Sequence, residues 1–207
     1  MIYLTGSTIS NTPKNIGFMA TPANGAGLVY LGHLWAADNG AFTGAFEEVK
    51  YFAFLEKLIQ YQDTCLFATC PDVLCDPVET LKLWERYNQR IMELGYKVAF
   101  VCQDGMEDLE LPECDAIFIG GSTDWKMSNG AGACIAEAKR RRLWVHVGRV
   151  NSRRRIRHFR LMGVDSVDGN FIGFGPDINT PKIVRWMKER MLFDDLYNFV
   201  SCGNSCR

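Results

Sequence analysis

The sequence contains no apolar run of membrane-spanning length, and its amino terminus has no basic region followed by an apolar core and a small-residue cleavage site. A membrane-spanning helix needs about 20 apolar residues, and a secretory signal needs that three-part pattern. We therefore expect a cytoplasmic protein with no membrane partner. The chain has no internal repeat, linker or low-complexity segment either, and its 207 residues, 47% of them hydrophobic, favour a single domain over residues 1–207.

The formal net charge is only −1, so no global basic field indicates nucleic acid. The charge is nevertheless uneven, because nine arginines lie between residues 140 and 160: Arg140, Arg141, Arg142, Arg149, Arg153, Arg154, Arg155, Arg157 and Arg160. Such a cluster can contact phosphates, although a charge run is as often a solvated helix face. Both interpretations stay open here. Four of these arginines, chosen for their closeness to Asp168, are our candidates for nucleic-acid contacts: Arg153, Arg154, Arg155 and Arg157.

The eight cysteines do not form a metal-binding pattern. Four lie in or beside apolar segments, as reduced interior thiols do: Cys65, Cys70, Cys102 and Cys134. Cys202 and Cys206 close the chain without a Cys-x-x-Cys pair or a nearby histidine, so they are a weak basis for zinc. We expect neither a metal nor a cofactor.

Short apolar runs bounded by Gly, Pro, Asn and Asp predict eight strands, over residues 2–4, 16–20, 34–37, 65–69, 98–102, 116–119, 143–147 and 166–167. Helical periodicity predicts five helices, over residues 46–61, 77–94, 130–141, 152–162 and 181–197. Asp76-Pro77 and Thr180-Pro181 are typical of a capping residue before a proline at the first helical position, and Gly95 and Gly163 are typical of helix ends.

Short, nearly all-apolar strands that alternate with helices are typical of a parallel sheet covered by helices, and about eight strands indicate a closed barrel. We therefore predict an α/β protein, a compact (β/α)8 TIM-like barrel that lacks some of its helices. The carboxyl-terminal segment contains four large apolar residues that suit either core packing or an interface between copies of the chain: Phe193, Leu196, Tyr197 and Phe199.

Polar residues and glycines follow the predicted strands, and barrel geometry gathers such residues at one mouth. They are Asp38, Asp72, Gln103, Asp104, Gly120, Gly121, His146, Arg149 and Asp168. Carboxylates and the Gln103 carbonyl accept hydrogen bonds from amino and ring N–H groups, and N–H groups of a Gly-Gly turn donate to a carbonyl. This combination suits the edge of a purine. A further carboxylate could attack a sugar carbon covalently.

Each of these residues also has a simpler interpretation. Asp38, Asp72 and Gln103 lie in turn-like contexts, where they could serve only as local hydrogen-bonding residues. His146 lies in an apolar strand, where a histidine is more often a core residue than a catalyst. We expect Asp165 to have a structural role and not a catalytic one.

Four motifs, taken in order, resemble those of the tRNA-guanine transglycosylase superfamily, whose barrel exchanges a guanine for a 7-deazaguanine. The family's Asp-Ser-Gly-Gly-Phe resembles Asp-Asn-Gly-Ala-Phe at residues 38–42, and its Val-Gln-Gly-Gly resembles Val-Cys-Gln-Asp-Gly at residues 101–105. Its Gly-Gly-Leu resembles Gly-Gly-Ser at residues 120–122, and its Gly-Val-Asp-Met-Phe-Asp-Cys resembles Gly-Val-Asp-Ser-Val-Asp-Gly at residues 163–169. Order and approximate spacing match over residues 15–190.

This resemblance implies that Asp168 is the nucleophile that attacks C1′ and that Asp38 is the general acid/base for the incoming base. It implies that Asp72, Gln103 and the backbone of Gly120 and Gly121 read the base. We add His146 and Arg149 as substrate-binding candidates.

The chain also departs from the tRNA enzymes. They carry Pro-Thr-Arg after the nucleophile and a zinc site of closely spaced cysteines, whereas Asp168 is followed here by Gly-Asn-Phe-Ile-Gly-Phe-Gly and no such zinc pattern is present. The short chain is more similar to the DNA-modifying branch, the deazapurine DNA transglycosylases of phages and bacterial modification clusters. We expect DNA and a 7-deazaguanine base as partners, with tRNA as the second candidate nucleic acid. The same residues also fit a nucleoside hydrolase or deoxyribosyltransferase, and a non-catalytic barrel that binds nucleic acid.

Overall fold

The computed structural model describes residues 1–9, 11–44 and 46–189. Eight parallel strands pair in sequence order and close into a barrel, with β8 returning to pair with β1. The strands are β1 Ile2–Thr5, β2 Ile16–Ala20, β3 Trp35–Ala37, β4 Cys65–Thr69, β5 Val98–Cys102, β6 Ala116–Ile119, β7 Trp144–Val147 and β8 Ser166–Gly169. The predicted fold class and all eight predicted strands are confirmed, with ends that shift by two residues at most.

Six α-helices lie within the described residues: α1 Glu48–Leu58, α2 Pro77–Glu93, α3 Thr123–Lys126, α4 Asn129–Arg140, α5 Arg153–Leu161 and α6 Pro176–Lys188. The described parts of the β1–β2 and β2–β3 connections contain no α-helix, and the β5–β6 connection has only the 3₁₀ turn Met106–Asp108. The barrel is therefore compact because several crossover helices are reduced to loops, as predicted.

Helix boundaries follow local capping chemistry. The Asp76 carboxylate accepts the Glu79 N–H over 2.9 Å and Pro77 takes the first helical position, so the predicted start of α2 is confirmed. Gly95 and Gly163 both have positive φ angles, 89° and 76°, which glycine adopts without the Cβ clash of other residues.

The predicted helix start at Pro181 is wrong. Pro176 takes the first helical position instead, where its missing N–H removes no helical hydrogen bond, and α6 continues through Pro181. The part of the predicted helix beyond residue 189 lies outside the described residues, and so do the proposed interface residues and the two last cysteines: Phe193, Leu196, Tyr197, Phe199, Cys202 and Cys206.

Strand alternation divides the core into two layers, since successive side chains point to opposite faces. The inner layer fills the barrel with eight buried apolar side chains: Leu4, Met19, Ala36, Phe67, Ala99, Val101, Ala116 and Phe118. The outer layer packs the other strand faces against the helices and the loops. The same alternation continues past the last inward-facing apolar residue of a strand. Asp38, Gln103 and Gly120 each lie two positions after such a residue, so they also face the barrel axis.

No helix within the described ranges is long and apolar enough to cross a membrane.

Candidate active site at the carboxyl end of the barrel

A cavity of about 440 Å³ opens at the carboxyl ends of the strands. Six of the residues chosen from the sequence line it: Asp38, Asp72, Gln103, Gly120, Arg149 and Asp168. Its volume lies in the range of small-molecule sites, which commonly enclose about 300–1,000 Å³. Residues separated by as many as 130 positions therefore meet around one space. Two chosen residues, Gly121 and His146, do not line this cavity.

Asp168 projects from β8 toward the barrel axis, and 16% of its side chain is exposed. Its Oδ1 accepts the main-chain N–H of Arg149 over 2.5 Å. Its Oδ2 accepts no hydrogen bond from the described residues. One carboxylate oxygen is thus held in place, while the other is available to a ligand in the cavity.

Arg149 connects three sides of the mouth. Its backbone has a left-handed φ of 60°, which is uncommon for a residue other than glycine and aims its N–H at Asp168. Its guanidinium donates to the Gly120 carbonyl over 2.7 Å and also to the Gly121 carbonyl. The same guanidinium lies 4.2 Å from the ring centroid of Phe42, a cation–π contact with the loop after β3.

The Gly-Gly turn does not present N–H donors to the cavity, so this part of the prediction is wrong. The N–H groups of Gly120 and Gly121 both donate to the Cys102 carbonyl, over 3.0 and 3.3 Å, because the turn continues the β5–β6 hydrogen bonding. Their carbonyls are the groups that bond Arg149. Glycine is required by space: a Cβ on Gly120 would lie 2.7 Å from Val101, and one on Gly121 would lie 2.4 Å from Asp104.

Asp72 is held by two side-chain amides. Gln103 Nε2 donates to Oδ2 over 2.7 Å, and Asn39 Nδ2 donates to Oδ1 over 2.9 Å. The Cys75 N–H donates to Gln103 Oε1 over 2.9 Å, which fixes the orientation of the Gln103 amide. Burial raises the pKa of Asp72, and the two amide hydrogen bonds oppose that rise. Asp72 keeps lone pairs for a ligand, whereas the Gln103 carbonyl is already bonded.

Asp38 occupies a different electrostatic environment. Burial raises its pKa from 3.8 to about 7; the Gly40 N–H opposes the rise, and the negative charges of Asp72 and Asp168 add to it. The Gly40 N–H donates to Asp38 Oδ1 over 3.0 Å and holds the carboxyl at the end of β3. Near neutral pH this group can both release and accept a proton.

His146 lies one layer below Asp168, inside the barrel and fully buried. Its Nε2 is 3.7 Å from Asp168 Oδ1, and its Nδ1 is 2.8 Å from Ser166 Oγ. It therefore contacts the candidate nucleophile and not the cavity. Gly121 contacts the site by accepting a hydrogen bond from the Arg149 guanidinium at its carbonyl.

Two residues of the site, Asn39 and Lys126, are not among the candidates predicted from the sequence. Lys126 lies in α3 and is 4% exposed, and its Nζ donates to the Gly148 carbonyl over 2.7 Å. Burial lowers its pKa to about 7, an effect to which the Arg149 charge adds and which the Asp168 charge opposes. Lys126, Arg149 and Arg155 border one small depression beside the cavity. No spacing pattern marks Lys126, because its burial depends on how a four-residue helix packs.

The arginine cluster divides into internal and surface contacts. Arg140 and Arg141 pair with Glu137, and Arg160 donates to carbonyls at the end of α6. Arg153 pairs with Glu189 over 2.9 Å. Of the four nucleic-acid candidates, Arg153 and Arg154 are exposed, while Arg155 and Arg157 are half-buried on α5. Part of the basic run is therefore structural.

Asp165 has a structural place. It accepts the Val145 N–H over 2.8 Å and pairs with Lys139 over 2.9 Å, on the outer side of the sheet. Within the described part of the chain, no cluster of three His, Cys, Asp or Glu side chains could hold a metal ion.

The fold and the site together define an eight-stranded parallel α/β barrel with a carboxylate-lined cavity at the carboxyl ends of its strands. No family model matches the chain, and no curated protein matches it significantly.

Proposed function

We propose that this protein is a DNA-guanine transglycosylase, which exchanges a guanine in DNA for a 7-deazaguanine through a covalent aspartyl-sugar intermediate. One observation carries the proposal. Two aspartates face the same cavity in different settings: burial raises the pKa of Asp38 to about 7, and Asp168 has one oxygen held by the Arg149 N–H and the other open to the cavity. Paired carboxyl groups in contrasting environments are the usual means of dividing acid/base and nucleophilic roles.

In the first step, Asp168 Oδ2 attacks C1′ of the target nucleotide. The C1′–N9 bond breaks, its electron pair leaves with guanine, and guanine takes up the proton of the protonated Asp38 carboxyl, which leaves Asp38 ionised for the second step. The open Oδ2 and the held Oδ1 of Asp168 support this assignment. A fixed carboxylate at attack distance converts a bimolecular reaction into an effectively unimolecular one.

In the second step, the incoming base loses its N9 proton to Asp38. N9 attacks C1′, and the C1′–Oδ2 bond breaks with its electron pair returning to Asp168. A general base is most effective when its pKa is near the working pH, and a pKa of about 7 meets that condition. The two steps conserve charge and protons without a cofactor.

Asp72 is suited to bind the Watson–Crick edge of the base. Its two oxygens are oriented by Asn39 and Gln103, and each keeps a lone pair for an N–H donor such as the N1 and N2 groups of guanine. The Gln103 amide acts through Asp72, since both of its polar atoms have protein partners. Guanine is therefore a better fit than a pyrimidine base, because neither cytosine nor thymine has two adjacent N–H donor groups on its Watson–Crick edge.

A base within a duplex must leave the stack before it can reach this cavity, at a cost of a few kcal/mol. Basic side chains that reach solvent can offset that cost through phosphate contacts. Arg154 and Arg155 on α5 are the better candidates, because neither forms an ion pair with a carboxylate of the described residues, whereas Arg153 binds Glu189. We favour DNA because of the compact barrel and keep tRNA as an outcome of the test.

The test incubates purified protein with radiolabelled 7-deazaguanine bases and with duplex DNA, single-stranded DNA or tRNA. We expect label to enter DNA with the wild type and not with Asp168→Asn. Label in tRNA alone assigns the RNA reaction instead. Turnover of free nucleosides without label in any polymer assigns a hydrolase or deoxyribosyltransferase, and binding without chemistry assigns a non-catalytic barrel.

Asp165→Asn is the matched control, because it changes the other aspartate of the same motif. Asp165 bonds Val145 and Lys139 outside the cavity. We expect this variant to lose stability and to keep base exchange per folded molecule. If both variants lose exchange equally while folded, Asp168 has no special role.

A further inference from the structure

His146 is a buried polar side chain with an unused ring nitrogen. Its ring packs against the rings of Phe67 and Phe118, whose centroids are 5.2 and 4.7 Å away. Nε2 has no hydrogen-bond partner among the described residues, and it faces Asp168 Oδ1 across 3.7 Å. Buried polar atoms are nearly always hydrogen-bonded, so one without a partner needs an explanation, and a catalytic role is one of the known explanations.

Neighbouring residues set the protonation of this ring. Trp144 Nε1 can only donate, and it donates to Ser166 Oγ over 2.9 Å. The buried Ser166 hydroxyl hydrogen then needs an acceptor, and His146 Nδ1 lies 2.8 Å away. If Nδ1 carried the ring proton, that hydrogen would have no acceptor and the Nε2 lone pair would face a carboxylate oxygen. The chain Trp144–Ser166–His146 therefore places the proton on Nε2.

We propose that His146, as a neutral imidazole protonated on Nε2, is a positioning residue that holds Asp168 Oδ1 so that Oδ2 attacks the sugar; the sugar chemistry in this inference rests on the transglycosylase function proposed above. The His146 Nε2–H, on β7, and the Arg149 N–H, just after β7, then approach the same oxygen of Asp168 on the neighbouring strand β8. Two donors on Oδ1 fix the rotation of the carboxyl group.

The contact tightens during the reaction. At 3.7 Å, Nε2 and Oδ1 are beyond hydrogen-bond distance, and a movement of roughly 0.7 Å brings them within it. Catalytic hydrogen bonds often shorten only when substrate is bound. When the C1′–Oδ2 bond breaks in the second step, negative charge returns to the carboxylate. A donor at Oδ1 stabilises Asp168 as the leaving group at that moment.

The test compares His146→Gln with His146→Met. The Gln side chain can place an N–H near the position of Nε2, whereas Met fills similar space without a donor. We expect kcat for base exchange to fall about tenfold in His146→Met, as expected for loss of one charge-assisted hydrogen bond, and to recover in His146→Gln. The KM for DNA stays unchanged, because His146 does not line the cavity.

Melting temperatures show whether each variant is folded. Equal kcat values for wild type and a folded His146→Met overturn the proposal. A folded His146→Gln that is as slow as His146→Met also overturns it, since the donor would then be irrelevant.

A second measurement does not need activity. Long-range ¹H–¹⁵N NMR of histidine-labelled protein reads the tautomer of His146, and His146→Gln assigns its signal among the three histidines. We expect the Nε2–H form in the wild type and loss of this preference in Ser166→Ala. An Nδ1–H form in the wild type overturns the proposal even if exchange occurs. If no polymer is labelled, the transglycosylase function fails while the tautomer still tests the geometry.

Discussion

The main-chain N–H of Arg149 donates to Asp168 Oδ1 over 2.5 Å, and it points there because Arg149 adopts a left-handed backbone conformation. A single residue thus places an N–H on the candidate nucleophile and a guanidinium on the two carbonyls of the Gly-Gly turn. The backbone conformation and the guanidinium of Arg149 contribute separately to the geometry of the site, and substitutions of Arg149 can distinguish the two contributions.

Replacing Arg149 with glycine or alanine removes the guanidinium in both cases. Glycine adopts a φ of 60° freely, whereas alanine has the Cβ clash of that conformation. We expect Arg149→Gly to be more stable than Arg149→Ala by about 1 kcal/mol in urea unfolding. Alanine being equally stable would mean that the left-handed conformation relaxes without cost.

Gln103→Glu places a second carboxylate beside Asp72. The Gln103 nitrogen lies 2.7 Å from Asp72 Oδ2, so two acidic groups at that distance share one proton. Their shared pKa is raised, and the stability present at low pH is lost as pH rises. Relative to the wild type, we expect Gln103→Glu to lose about 2 kcal/mol of stability between pH 5 and pH 8, measured by chemical unfolding. Gln103→Met is the control, with a cost that varies less with pH; parallel pH curves for the two variants would contradict the pairing.

The titration of Asp38 alone makes the free energy of unfolding depend on pH. Its pKa is about 7 in the folded protein, against an ordinary value of 3.8, so the folded state binds the proton more tightly. The stabilisation of the folded state by this tighter proton binding is complete below about pH 4 and is lost as pH rises toward 7. We expect Asp38→Asn to gain stability relative to the wild type over that interval, by roughly 1–4 kcal/mol. A constant difference between the two proteins from pH 4 to pH 8 would show that Asp38 titrates normally.

Two glycine-to-alanine changes should have opposite effects. A Cβ on Gly148 would lie 2.7 Å from the Phe118 ring, inside the barrel and beside Asp168. We expect Gly148→Ala to lose about 1–3 kcal/mol by overpacking and to lower base exchange. Gly132 lies in α4, where the Met162 methyl, at 3.4 Å, is the only described atom near the added Cβ, so Gly132→Ala should gain about 0.5–1 kcal/mol in thermal unfolding. Destabilisation by both changes would mean that the space around Gly132 is tighter than its 3.4 Å contact indicates.

The strands are readable from the sequence because both faces of a barrel strand are buried, which leaves short and almost continuous apolar runs. The helix ends are less readable. Two proline-containing starts, at Pro176 and Pro181, satisfy the same rule, and the sequence does not rank them. The helix α3 has four residues, too few for a periodic pattern.

The main acidic residues of the site are predictable because parallel strands deliver the residues at their carboxyl ends to one mouth. The directions of the hydrogen bonds within the loops are not predictable from the sequence. The Gly120 and Gly121 N–H groups turn back to Cys102, and Asn39 turns toward Asp72, through loop paths that no local spacing determines. The burial of His146 beneath Asp168 follows from alternation along β7, which places residues 144 and 146 on the inner face.

The inner layer of the barrel closes the space below Asp168 with packed side chains, among them Phe67, Phe118 and Leu4. The candidate site is therefore approached from the carboxyl end of the strands, so a ligand enters and leaves the cavity by the same route. If the proposed base exchange takes place, the departing guanine and the incoming base would share this one passage and exclude each other. Free guanine would then inhibit the second half-reaction by competing with the incoming base.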